Sequence, residues 1–134
     1  MADWISVPGN VIVSDADSPV VIANHADGAM VKPSGGNLKG VFHVSVPSAP
    51  NGSAKLKKLE VRHTHILSKT VGIKIVYGNS LMYDSQASPL NIASIDNLGI
   101  DGEPDRFAWD VAIEVEFSGQ NSILLVSCVT LTFQ

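Results

Sequence analysis

The chain is poor in the residues that most chemistry requires. Among 134 residues there is one cysteine, Cys128, so no intrachain disulfide can form. It lies in the apolar run LLVSCVTLTF, which predicts a buried, inert thiol. A lone thiol without a disulfide framework points to a reducing compartment, and a cytoplasmic location is expected. Charged residues make up 16% of the chain, and the nine Lys and Arg are scattered apart from Lys55, Lys57 and Lys58. With a net charge of −4 the sequence lacks the basic footprint of a nucleic-acid binder. No apolar run approaches the ~20 residues of a membrane span. The opening MADWISVPGN has neither a basic start nor an apolar stretch, so it does not read as a secretory signal. Neither nucleic acid nor membrane is therefore an expected partner. Catalytic signatures are equally scarce. There is no Gly-x-Ser-x-Gly elbow, no His-Glu-x-x-His and no glycine-rich loop opening a helix.

Helical periodicity is almost absent as well, and alternation of period two takes its place. RFAWDVAIEVEF puts Phe107, Trp109, Val111, Ile113, Val115 and Phe117 on one face, with Asp110, Glu114 and Glu116 on the other. That is a half-buried strand with a wet side, and it assigns Trp109 to the core. VGIKIVYGNSLMYD reads as a hairpin with Val71, Ile73, Ile75 and Tyr77 in phase. VFHVSVP aligns Phe42, Val44 and Val46 and turns His43 away from them. LKKLEVRHTHIL aligns Leu59, Val61, His63, His65 and Leu67, and SILLVSCVTLTF is apolar on both faces, as a central strand is. WISVP, NVIVSD, PVVIAN and GAMVKP are shorter candidates, while LNIASIDNLGI fits a helical turn or an irregular crossover equally. Eight or nine strands separated by Gly, Pro, Asn and Ser clusters predict one domain spanning residues 1–134. Its fold is an all-β antiparallel sandwich, jelly-roll-like, with a small closed barrel as the alternative. This length is that of one domain and supports a real core without metal or disulfide.

Three constellations are candidate sites. His63 and His65 stand two apart on a strand, so both imidazoles can face one transition-metal ion, with His43 as a third ligand. The competing reading is a strand that leaves the core here with its imidazoles half exposed. The spacing of the cupin metal site is not met, because Lys57 stands at its glycine position and Lys69 or Thr70 at its glutamate. Asp101, Glu103 and Asp105 alternate in the loop IDNLGIDGEPDRF, where hard oxygens can hold calcium, although the sequence is not an EF-hand. Asp15 and Asp17 form a second acidic loop. Tyr77 and Tyr83 flank a hairpin tip and are candidate contacts for a carbohydrate or another subunit, and Trp4 is a further aromatic.

The order of segments resembles a family of small, uncharacterised, mostly bacterial all-β proteins, a domain of unknown function. The resemblance rests on Trp4 to Gly9, on Phe42-His43-Val44, Val46, Pro47 and Pro50, on Tyr77 before Gly78-Asn79, on DVAIEVEF, and on the terminal Phe133. It departs from the family at Pro8, where a histidine is usual, and at His63 and His65, where ordinary strand residues are usual. It implies a β-sandwich and transfers no catalytic residue. The expectation is a non-catalytic module that binds a carbohydrate-type ligand through loops at one end, with calcium as its only candidate cofactor. The alternatives are a homo-oligomeric structural component and a metal-dependent enzyme built on His63 and His65.

Overall fold

The computed structural model describes residues 3–26, 28–46, 55–77, 80–85, 94–95, 98–101 and 109–133. They form two antiparallel sheets packed face to face, so the sandwich, not the closed barrel, is the architecture. The strands are β1 (Asp3–Pro8), β2 (Val13–Ser14), β3 (Val20–His25), β4 (Gly28–Pro33), β5 (Lys39–Val46) and β6 (Lys55–Ile66). They continue as β7 (Ser68–Tyr77), β8 (Ser80–Ser85), β9 (Ser94–Ile95), β10 (Ile100–Asp101), β11 (Trp109–Phe117) and β12 (Ile123–Phe133). The only helical element among the described residues is a 3-10 turn at Gly9–Val11. No helix among them is long and apolar enough to cross a membrane. The segment LNIASIDNLGI resolves into β9 and β10, two short strands on the outer edge of β6.

One sheet has the order β2-β5-β11-β7-β8. In the other, β12 pairs with β6 along one edge and shares its second edge between β1, opposite residues 128–133, and β4, opposite residues 124–126. Period two explains the core directly. The burial of β11 alternates without a break, and Trp109, Val111, Ile113, Val115 and Phe117 are all buried. Phe42, Val44 and Val46 from β5 and Ile73, Ile75 and Tyr77 from β7 complete that side. They meet Leu56, Leu59 and Val61 of β6 and Leu124, Val126, Val129, Leu131 and Phe133 of β12.

Departures from strict alternation occur at bulges. Ser127 is the extra residue in β12, between the pairs Val126–His63 and Cys128–Arg62. Ser127 and Cys128 therefore both lie off the core, and Cys128 is half-buried where an apolar context had predicted full burial. A second bulge places Val71 out of step with Ile73. Leu67 does not continue the β6 face. It is the corner at which the chain passes from one sheet to the other, with φ 55° and 66% exposure. Its carbonyl is held by the backbone N–H and hydroxyl of Ser118, at 2.9 and 2.7 Å.

The β12 bulge is also where β1 leaves and β4 arrives. A Cβ on Gly9 or on Gly28 would collide with the Val126 carbonyl oxygen. Gly28 in addition has φ +143°, a conformation that L side chains rarely adopt. Replacing either glycine by alanine is expected to destabilise the fold by about 2–4 kcal/mol, from overpacking and, at Gly28, backbone strain. Urea denaturation measures this. The double variant should lose less than the sum, because both side chains press on one carbonyl.

Candidate functional site

The outer face of the five-stranded sheet is ordered by its register. Directly opposed residues share a face, so the pairs formed along β5, β11 and β7 define outward rows. Val41, Glu114 and Gly72 form one row, and His43, Ala112 and Lys74 form the next. Ser45, Asp110 and Val76 form a third, and Asp84 of β8 lies opposite Lys74. The small residues Gly72 and Ala112 leave a depression between longer neighbours. It is a groove of about 290 Å³ walled on one side by Asp15 and Ser18, and Val41, His43, Lys74 and Glu114 also line it.

The loop after β2 makes that wall. One carboxylate oxygen of Asp15 accepts the backbone N–H groups of Asp17 and Ser18, at 3.0 and 2.9 Å. This is the local turn that aspartate favours through its short acceptor side chain. The loop is tied to β5 by Asp15 N–H donating to the Val41 carbonyl at 3.0 Å and by Val41 N–H donating to Ser18 at 2.8 Å. The other Asp15 oxygen meets Nε2 of His43 at 2.6 Å, and Nδ1 of His43 meets Asp110 at 3.0 Å. His43 thus joins the β2–β3 loop, β5 and β11 through a single ring.

Only the imidazolium can donate from both nitrogens at once. Burial disfavours the charge of His43, but the bonds to Asp15 and Asp110 outweigh it and raise its pKa above the ordinary 6.5. The bond from His43, followed by the Ser18 amide, holds Asp15 below the ordinary 3.8. Glu114 and Lys74 differ from these groups. Neither makes a hydrogen bond or ion pair with another described residue, so the groove offers one acceptor and one donor to a ligand.

The residues singled out by sequence are dispersed. His63 is half-buried opposite Val126, and His65 lies opposite Leu124 with its side chain outside the described residues. His43 is on the other sheet, with both ring nitrogens engaged. Among the described residues no group of three or more His, Cys, Asp or Glu is placed to hold a metal ion. Asp101 is in β10 opposite Lys55, whereas Glu103 and Asp105 lie outside the described residues. Tyr77 corrects the expectation of a ligand contact. It is 8% exposed, with its ring centroid 4.3 Å from that of Trp109, because the phase that aligns it with Ile73 and Ile75 carries it into the core. Tyr83 is half-buried against the core, opposite Ile75. The groove residues were visible in sequence as outward polar positions on three separate strands. What the sequence did not provide was the neighbour order β5-β11-β7.

The raised pKa of His43 ties stability to pH. Its contribution is complete below its unfolded value near 6.5 and is lost as pH rises through the folded value. That of Asp15 is complete above about 3.8 and is lost as pH falls through its depressed value. The melting temperature should therefore fall from pH 6 to pH 9 more steeply in the parent protein than in His43→Gln. Differential scanning fluorimetry across that range is the check, and parallel curves would contradict the bridge.

No protein-family model matches the sequence, and no curated protein matches it. Solved structures do match. A family 29 carbohydrate-binding module from Piromyces equi superposes with a TM-score of 0.51 at 8% identity, covering 99% of this chain and 91% of that one. A carbohydrate-binding module of family 36, solved with calcium and xylotriose, gives 0.49 at 11% identity, covering 95% and 98%. The CBM36-1 domain of a multidomain xylanase from the hindgut metagenome of Trinervitermes trinervoides gives 0.46 at 8% identity, covering 96% of each chain. The likeness to the family 29 module shows a shared β-sandwich fold.

Proposed function

We propose that this chain is a non-catalytic carbohydrate-binding module whose ligand lies in the groove across the five-stranded sheet. The observation that carries this is the pair Glu114 and Lys74. They stand diagonally across the floor made by Gly72 and Ala112, both without a partner among the described residues. A saccharide hydroxyl donates and accepts at once, so it suits a free acceptor and a free donor set side by side. The shallow floor admits a chain lying along the face, and the Asp15–His43–Asp110 bridge holds the wall rigid before binding, which lowers the ordering cost. The sandwich frame shared with a carbohydrate-binding module supports the same reading. His43 is not available as a general base, since both nitrogens already face carboxylates.

This site differs in place from the loop-end site expected from sequence. Calcium held by Asp101, Glu103 and Asp105 remains part of the proposal as an accessory, and the experiment carries it as a separate arm. Screening on a glycan array with and without calcium should yield a saccharide ligand, whose affinity is then measured by calorimetry. Lys74→Ala and Glu114→Ala should each weaken binding about tenfold or more, as loss of a charged hydrogen-bond partner does. Ala112→Arg should abolish it by filling the floor. All three should keep the parent melting temperature within a few degrees. Absence of any glycan hit in both conditions would remove the proposal.

A further inference from the structure

The solvent face of an antiparallel sheet is ordinarily polar. One end of the outer face of the seven-stranded sheet is not, although Ser6, Thr130 and Thr132 keep the other end largely polar. Ala23, Met30, Leu125 and Thr64 make one row across four strands, Ile123 stands opposite Ile66, and Val21 stands opposite Lys32. Val21 and Ile66 are 48% and 49% exposed. At the other end of the same face Trp4 opposes Thr132 and is 67% exposed, the most open of the large apolar side chains among the described residues. The charges on this face are mostly of one sign. Lys32, Lys58 and Arg62 are set against Glu60, and that acid pairs with Lys58 at 3.0 Å. Lys32 and Arg62 have no ion-pair partner among the described residues. The chain as a whole carries −4, and the opposite face holds Asp15, Asp84, Asp110, Glu114 and Glu116 beside Lys39 and Lys74. Base is thus in excess on the apolar face, while on the groove face acids outnumber Lys39, Lys74 and His43.

We propose that the outer face of the seven-stranded sheet docks on an anionic lipid surface. Uncompensated bases are attracted to the negative headgroups, and exposed aliphatic side chains and an indole bury at the boundary with the acyl chains. A second copy packed face to face would set one face with excess base against another, so like charge works against a two-fold dimer here. A polyanionic glycan would satisfy the bases but leave the stripe of Val21, Ile66, Met30 and Leu125 without a use. That no helix among the described residues is long and apolar enough to cross a membrane bears on crossing and not on surface attachment. The proposal is independent of the glycan groove, which lies on the other sheet and stays open when this face is covered.

The test is co-sedimentation with vesicles of equal parts phosphatidylglycerol and phosphatidylcholine, against vesicles of phosphatidylcholine alone. Trp4 emission is the second readout, since Trp109 is already 1% exposed and reports little change. Binding to the anionic vesicles is expected at low salt, with a blue shift, and should weaken as salt rises. Lys32→Ala and Arg62→Ala should each lower partitioning about fivefold. Trp4→Ala should remove the blue shift and weaken binding. Lys39→Ala, on the opposite sheet and 67% exposed, should leave binding unchanged. No partition into anionic vesicles at low salt would overturn the proposal, as would equal binding to neutral ones. Equal loss in Lys39→Ala, or retention by immobilised polygalacturonate without vesicle binding, would also overturn it, the latter in favour of an anionic glycan.

Discussion

The strand β12 is the element on which the rest of the sandwich depends, because three long-range neighbours form on it at once. β6 runs along one edge for nearly its whole length, while β1 and β4 divide the other. That division works only because the chain can pass close to the Val126 carbonyl at two glycines, Gly9 and Gly28. The bulge at Ser127 falls at the same point and resets the phase. Val126 and Val129 consequently both face inward although they stand three positions apart, and the inner face of β12 stays continuous up to Phe133. A residue with a Cβ at either glycine would force β1 or β4 off the edge, leaving unpaired backbone groups that cost free energy in a buried setting.

The two outer faces express this arrangement in opposite chemistry. On the five-stranded sheet, β11 is flanked on both sides, and two of its outward acids, Asp110 and Glu116, meet His43 and Lys39 of β5 while Glu114 stays open to the groove. His43 is the junction, with an imidazolium that satisfies two carboxylates on different elements and therefore favours its own protonation. Small residues at Gly72 and Ala112 keep the space beside it open. On the seven-stranded sheet the outward positions of β12 are largely aliphatic, threonine or cysteine, and the bases come from β4 and β6. The polarity of the molecule is thus a property of which strands adjoin, since each strand taken alone carries a mixture.

Much of the fold was legible because period two is a local signal. Trp109, Phe42 and the inward residues of β11 and β5 follow from alternation alone, as does the outward turn of His43. The same rule in Tyr77 was outweighed by its position near a hairpin tip, which made it look accessible, yet phase prevailed and it packs on Trp109. Cys128 and Leu67 departed from expectation because a bulge and a sheet-switching corner each shift the phase, and neither leaves a mark in the hydrophobic pattern.

The sequence by itself determined the class of structure and the side of each strand that is buried, since both depend on residues that are neighbours in the chain. Tertiary structure alone decided that Asp15, His43 and Asp110 meet, residues separated by 28 and 67 positions, because side-chain contact requires strand order and register. It likewise decided that Lys32 and Arg62 share a face, which follows from β4 and β6 lying on opposite edges of β12. Alternation specifies which way a side chain points, and only pairing specifies what it points beside.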